Sequence, residues 1–363
     1  MTRKRVAIIG TVGVPGKYGG FETLAENLVR HHAETGREEE LSVYCSERSY
    51  PERHNSYLTA TLRYVPLDAN GVQSIVYDIW SVLDAVRRKT NVILILGVSG
   101  TLVLPVVRLL SRARIITNID GIEWKREKWS RPARWFLRLS ENAAVRWSHA
   151  VVADNEAIAE HVADVYGSGC KVIAYGGDHA TESSLDDSDQ AALPERYALA
   201  LCRIEPENNV ALILDAFENL PEYPLVFVGN WGNSAYGRDL RVRYSASGHL
   251  YLLDPVYDAA KLRALRDRAW LYVHGHSAGG TNPSLVEMMH FSIPIAAYDC
   301  SFNRYTTEEN THYFQSSAEL VDVVTSLDNE SARQIGMSML RIAKARYTWK
   351  VIGTAYFRLI EAL

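Results

Sequence analysis

Along almost the whole chain, short runs of β-branched and other apolar residues alternate with segments of helical period. "RVAIIG" (5–10) predicts a first strand, and "GFETLAENLVRHHAETG" (20–36) predicts a helix closed by Gly36. "LSVYCS", "TLRYVPL", "VILILG", "ARIITNI", "HAVVAD" and "CKVIAYGG" continue the strand series up to residue 177. After a polar, acidic stretch, "TESSLDDSDQAALPERY" (181–197), the alternation restarts with "YALALCR", "PLVFVG", "HLYLLDP", "AWLYVHG" and "IPIAAYD". Continuous apolar strands separated by helices are the pattern of parallel sheets buried on both faces. The pattern therefore predicts an α/β protein of two doubly wound domains, 1–178 and 179–345. The segment 346–363 follows as an amphipathic helix anchored by Tyr347, Trp349 and Tyr356.

Composition narrows the function classes. The 363 residues are 47% hydrophobic and 23% charged, with a net charge of −4, which argues against a general nucleic-acid binder. Four scattered cysteines (Cys45, Cys170, Cys202, Cys300) with no CxxC pair read as reduced thiols. No apolar run approaches the length of a membrane span, and the first apolar run is too short for a signal peptide. The expectation is a cytoplasmic chain, soluble or peripheral.

In open parallel sheets ligands sit beyond the C-terminal strand ends, so the strand-to-helix loops and a cleft between two such sheets are the default site. The first such loop, "GTVGVPGKYGGFE" (10–22), has neither the GxGxxG spacing nor a P-loop Lys-Ser/Thr, since Tyr18 follows Lys17. Gly19 and Gly20 suggest close approach of a ligand to the backbone, although a tight turn needing positive φ accounts for the same glycines. In "HGHSAGGTNPSLVEMM" (274–289), Gly280, Thr281, Asn282, Pro283, Ser284 and Leu285 open a helix whose N-terminus suits a diphosphate. Glu287 there fits a ribose diol, or a capping box with Ser284. Arg203, Glu207 and Asn208 in "LCRIEPENN" (201–209) follow a strand, where Arg203 can pair with a departing diphosphate or be a plain surface arginine. Gly229 with Asn230, and Val256, lie in two further loops that can enclose a nucleobase.

Metal chemistry finds no support in the spacing. Asp187-Ser188-Asp189 has DxD spacing but sits in the polar linker, His31-His32 closes a helix, and His274 and His276 read as facing opposite ways. Between Lys125 and Trp147 the chain carries seven basic residues (Lys125, Arg126, Lys128, Arg131, Arg134, Arg138, Arg146) against Glu127 and Glu141. Arg131, Arg134 and Arg138 form one helical stripe, beside an apolar stripe of Trp135, Leu139, Ala143 and Trp147. Basic residues with Trp on one segment suit an anionic membrane surface. A half-buried core helix with a solvated Arg face gives the same pattern.

Together, "GKYGGFETLAENL", "DGIEWKREKWS", "RIEPENN" and "GHSAGGTNPSLVEMM" resemble the bacterial rhamnosyltransferases of retaining glycosyltransferase family 4, in order and over residues 10 to about 300. The resemblance implies a GT-B fold of two facing Rossmann-like domains, with the C-terminal helix crossing back to the first. It also implies metal-independent transfer with no cofactor, and a nucleotide-sugar donor held mainly by the second domain at Arg203, Asn208, Gly229, Asn230, Val256, Gly280 to Leu285 and Glu287, with Gly19 and Gly20 of the first domain. Its donor would be dTDP-L-rhamnose and its acceptor an undecaprenyl-diphosphate-linked saccharide for surface polysaccharide, at the inner face of the membrane. Two positions depart from the wider family. Gly279 stands where the first Glu of a Glu-x7-Glu pair is expected, and Asn208 where a phosphate-binding Lys is expected.

On that reading Arg203, with cationic help from Lys125 or Arg126, neutralises the leaving diphosphate, Asp120 orients or deprotonates the acceptor, and Glu207 is a further carboxylate at the site. Glu22, Glu123, Trp124 and Asp154 join the acceptor side, and Arg131, Arg134, Trp135 and Arg138 receive the membrane. Asp120 in "DG" is equally a turn residue on spacing alone. An NDP-sugar epimerase or hydrolase of the same fold, and a non-catalytic scaffold in a polysaccharide-synthesis complex, are the competing classes.

Overall fold

In the computed structural model, residues 3–16, 19–125, 129–186 and 193–363 are described. The chain divides into two units, residues 1–174 with 349–363, and residues 175–348. The first contains, in order, β1 (Arg5–Ile9), α1 (Gly20–Glu34), β2 (Glu40–Ser46), β3 (Ser56–Tyr57), β4 (Ala60–Val65), α2 (Gln73–Arg87) and β5 (Val92–Leu96). It continues with α3 (Leu104–Leu110), β6 (Arg114–Asn118), α4 (Arg131–Trp147), β7 (Ala150–Ala153), α5 (Glu156–Tyr166) and β8 (Lys171–Val172). Its sheet runs β3-β4-β2-β1-β5-β6-β7-β8. The pairs are parallel except that of β3 with β4. Every residue of β5 is buried, as expected of a central strand covered on both faces.

The second unit carries β9 (Tyr197–Leu201), α6 (Val210–Glu218), β10 (Leu225–Val228), α7 (Ala235–Arg243), β11 (Leu250–Leu253) and α8 (Ala259–Asp267). After these come β12 (Ala269–His274), α9 (Pro283–Met289), β13 (Ile295–Tyr298), α10 (Ser301–Thr307), β14 (His312–Phe314), α11 (Ser317–Ser326) and α12 (Asn329–Arg346). Its six strands are parallel, in the order β11-β10-β9-β12-β13-β14. Both sheets thus show the reversal of strand order on either side of a first strand that defines doubly wound Rossmann-like topology.

The last helix, α13 (Trp349–Ala362), belongs to the first unit and packs on α1. Gly353 lies so close to α1 that a Cβ there would stand 2.4 Å from Cγ of His31. His31 and His32 are buried beneath it, each ring 5.8 and 5.5 Å from that of Phe357, and burial lowers both imidazole pKa values. The histidine pair is a packing element between two helices.

Three strands differ from the sequence pattern. "CKVIAYGG" forms only the two-residue β8, because the chain leaves the sheet edge at Ile173 and passes into the second unit. The short β3 and β14 have too few apolar positions for a periodic signal. The DxD triplet 187–189 lies outside the described residues, as do Lys17, Tyr18, Arg126, Glu127 and Lys128.

Candidate active site

In the first unit, the loop after β1 is held by carboxylates of α1. Glu22 Oε1 accepts from the Val12 N–H (2.8 Å) and the Thr11 hydroxyl (3.2 Å). Glu26 Oε2 accepts from the Gly16 N–H (2.7 Å), and the Tyr77 hydroxyl donates to the Thr11 carbonyl (3.0 Å). Gly19 has φ +127°, and a Cβ on it would stand 2.0 Å from Glu22 Oε2, so only glycine fits. Gly20 opens α1. Glu22, expected on the acceptor side, is engaged by the loop that precedes its helix.

β6 ends in a linked set of polar groups. Asn118 Nδ2 donates to the phenol oxygen of buried Tyr356 in α13 (2.7 Å), while Asn118 Oδ1 accepts from the Asp120 N–H (2.9 Å). Asp120 sits at φ +59°, a conformation that Asp tolerates because its side chain is short and polar. Burial raises the Tyr356 pKa, and the charges of Asp154 and Asp120 raise it further. Asp120 and buried Asp154, at the ends of neighbouring strands β6 and β7, therefore act electrostatically on one phenol.

The turn after Asp120 rests on α4 and α5. The Trp124 indole N–H donates to Glu141 Oε2 (3.1 Å), and Lys125 Nζ and the Arg138 guanidinium lie 5.5 and 5.3 Å from the Trp124 ring. Glu141 is buried and also bonds His161 Nε2 (3.0 Å) and the Tyr166 hydroxyl (2.8 Å). Glu123 Oε2 accepts from the Trp129 indole N–H (3.1 Å). Lys125 is exposed. Trp124 and Glu123 thus have internal partners, and Glu141 and His161, unremarked as a pair in the sequence, organise the turn. On α4, Arg131 and Arg138 are exposed but Arg134 is half-buried, so the three do not share one solvated face. Nor is the adjoining stripe uniformly buried: Trp135 and Leu139 are exposed, while Ala143 and Trp147 pack inward.

In the second unit, the loops after β9 and β12 are joined. The Asn208 amide donates to the Arg203 carbonyl (2.6 Å), which leaves Oδ1 to meet His276 Nδ1 at 2.6 Å. Nδ1 therefore carries the proton. The Glu207 carbonyl accepts from the Ser277 N–H (3.1 Å) and hydroxyl (2.7 Å), and Asn209 Nδ2 donates to the Gly275 carbonyl (2.8 Å). Asn208, expected among donor contacts, is buried and bonded at both ends of its amide. Arg203 is exposed at the edge of this zipped pair of loops. Asn230 Oδ1 accepts from the Ile204 N–H (2.7 Å), and Gly229 leaves no room for a Cβ, which would lie 2.3 Å from Ile204. Val256 is half-buried in the loop after β11.

Asn282 caps α9 by accepting from the Ser284 N–H (3.0 Å), and Pro283 takes the first helical position. The Leu285 N–H is taken by the Asn282 carbonyl (3.1 Å), and its side chain is in the core, so Leu285 offers nothing outward. Gly280 and buried Thr281 precede the cap. The Ser284–Glu287 capping box does not form. Ser284 bonds Asn282 and Tyr272 instead, and Glu287 pairs with buried Arg266 and with His179 Nε2 (3.3 Å). Burial alone would raise the Glu287 pKa, but Arg266 first, then His179, outweigh it and hold the carboxyl below its usual range. His274 and His276, expected to point apart, have ring centroids 6.0 Å apart, because the chain leaves β12 at His274 and the loop turns His276 toward it. Gly177 lies flat on α9, where a Cβ would come within 2.6 Å of the Val286 backbone. Among the described residues no cluster of three or more His, Cys, Asp or Glu is placed to hold a metal.

Comparison with known proteins agrees with this architecture. Residues 184–330 match the family described as glycosyl transferases group 1, and residues 3–178 match a domain of unknown function, DUF1972. No curated protein sequence matches the chain. Among solved structures it is similar to sucrose-phosphate synthase from Thermosynechococcus elongatus, with a TM-score of 0.80 and 16% identity over 99% of both chains. Anabaena HepE in complex with UDP and glucose gives 0.72 and 17% over 100% of both. The α,α-trehalose 6-phosphate synthase of Burkholderia multivorans gives 0.75 and 10%, covering 100% of this chain and 97% of that one. The fold is thus that of GT-B glycosyltransferases, and residues 184–330 carry a glycosyltransferase group 1 domain, which supports glycosyl transfer as the activity.

Proposed function

We propose that this chain is a retaining glycosyltransferase that moves L-rhamnose from dTDP-L-rhamnose to a saccharide carried on a lipid diphosphate such as undecaprenyl diphosphate, in surface polysaccharide synthesis. The observation that carries the reading is the zipped pair of loops in the second unit, which lies within the glycosyltransferase group 1 match. It presents the exposed Arg203 guanidinium from one loop and the capped start of α9, followed by Glu287, from the other. Arg203 with the loop glycines then stabilises the leaving diphosphate, and Glu287, oriented by Arg266 and His179, takes the ribose diol. Gly279 at φ +117° leaves no carboxylate beside the sugar, which suits a 6-deoxy donor with one hydroxyl fewer.

In the reaction the bond from the anomeric carbon to the diphosphate oxygen breaks, and a bond from the acceptor oxygen forms on the same face. The acceptor proton passes to the departing diphosphate. Asp120, fixed through Asn118 and Tyr356, orients the acceptor hydroxyl. Lys125 adds positive charge, and the basic start of α4 meets an anionic membrane at the cytoplasmic face. No helix among the described residues is long and apolar enough to cross a bilayer, which is compatible with peripheral attachment. A thermal-shift screen of dTDP-, UDP- and GDP-sugars tests the donor. Stabilisation by dTDP-rhamnose supports the assignment, and stabilisation by GDP-sugars alone overturns it.

A further inference from the structure

Helices α2 and α3 and the end of α4 cover one face of the first unit's sheet. Tyr77, Val82, Ala85, Leu104, Val107 and Trp147 pack there into one cluster with inward residues of β1, β5 and β6. Gly100, just before α3, abuts α2 so closely that a Cβ would stand 2.5 Å from Cβ of Asp78. The outer side of this helical layer is apolar. Val72, just before α2, and Val76, Trp80 and Leu83 on it recur at helical spacing and are all exposed, Trp80 by 57%. At the end of α3, Leu109 and Leu110 are 84% and 76% exposed, and α4 adds Trp135 at 67%. Single exposed apolar residues are ordinary, but a layer of neighbouring helices exposing them together marks an interaction surface.

Charge selects the partner. The acids of these three helices are Asp78, Asp84 and Glu141. Asp78 and Glu141 are buried, and Asp84 pairs with Arg87 and Arg88. Between Asp84 and Asp120 the sequence has no acid and six basic residues, and Arg108 and Arg112 flank the Leu109–Leu110 tip. A second copy docked isologously would set these arginines against themselves. An anionic lipid surface instead matches the arginines at headgroup level and the apolar side chains at the acyl boundary.

We propose that this helical face, and not the start of α4 alone, is the membrane-docking surface, with Trp80, Leu109 and Leu110 inserting between anionic lipids. It deepens the peripheral-membrane part of the proposed function and rests on it for purpose only. Vesicle binding is measured without donor or acceptor, and glycosyl transfer to a water-soluble acceptor is measured separately, so each reading can fail alone. The test is co-flotation of the full chain with phosphatidylglycerol–phosphatidylcholine vesicles and with phosphatidylcholine alone. Wild type is expected on the anionic vesicles, with partitioning lowered at least about tenfold in both W80S and L109S/L110S, and thermal unfolding unchanged. Quenching of tryptophan emission by brominated lipid should fall in W80F. Wild-type flotation in the serine variants, or no flotation of wild type, overturns the proposal. So does a wild-type dimer that L109S/L110S converts to a monomer, since the face would then join two copies.

Discussion

The amide of Asn118 donates to the phenol of Tyr356 at 2.7 Å, across 238 residues of sequence, and both groups are buried. The same Asn118 accepts from the Asp120 backbone, so the last helix sets the position of the proposed acceptor-orienting carboxylate. Tyr356→Phe leaves the Asn118 amide short of an acceptor and should cost about 1–3 kcal/mol of stability. It should also lower kcat without changing donor affinity. Steady-state kinetics with urea unfolding checks this, and an unaltered kcat in a destabilised variant would detach Asp120 from the tyrosine.

Glu141 receives three donors, from Trp124, His161 and Tyr166, in a buried position. Glu141→Leu strands them all and should destabilise the first unit by about 2–4 kcal/mol. Glu141→Gln keeps part of the acceptor capacity and should lose less. Because the Trp124 turn follows Asp120, acceptor KM should rise in both variants while the thermal shift on donor binding is retained.

Asp78 is buried, and burial raises its carboxyl from the usual 3.8 to about 8, partly offset by a hydrogen bond with Ser99. The folded chain then holds a proton that the unfolded chain has released. Stability from this site is full below about pH 4 and declines up to about pH 8. Asp78→Asn should remove the decline, gaining on wild type by up to about 1.4 kcal/mol per pH unit in that window. Urea midpoints across the window test it, and parallel curves for the two proteins would refute it.

Glu287 behaves in the opposite sense. Its carboxyl is held below the usual 4.5, despite burial, by Arg266 and then His179. Its contribution is present above pH 4.5 and is lost as pH falls through the lowered value. Glu287→Gln leaves Arg266 buried without a counter-charge and should cost about 3–5 kcal/mol at neutral pH. Nucleotide-sugar stabilisation in the thermal-shift assay should vanish as well. Retained stabilisation by dTDP-rhamnose would remove Glu287 from the donor site.

The alternation of apolar strands and helical segments carried the two-sheet architecture, because a strand buried on both faces leaves an unbroken apolar run such as "VILIL". The turn at Gly19 was legible because its backbone admits only glycine, and the start of α9 because capping residues followed by proline mark a helix N-terminus. What pattern could not reveal is which polar side chains are turned inward. Asn208 stands beside a site loop and Glu22 in the first turn of α1, yet their side chains hold the neighbouring loops together. Arg266, His179 and Glu141 lie far in sequence from the residues they orient, and no spacing rule links them. The apolar face of α2 and α3 was hidden in the same way, since an exposed Leu109 and a core Leu104 are alike until the helix is placed on its sheet.

The central claim is transfer from dTDP-L-rhamnose to a lipid-diphosphate-linked saccharide. The most direct measurement is mass-spectrometric detection of product when the chain is incubated with dTDP-L-rhamnose and an N-acetylglucosamine-diphosphate-lipid analogue. The account predicts one deoxyhexose added to the acceptor, with retained anomeric configuration in the NMR spectrum of the isolated product, and loss of at least about a hundredfold in rate in Arg203→Ala. Free rhamnose with an unmodified acceptor, or full product formation by Arg203→Ala, would contradict it.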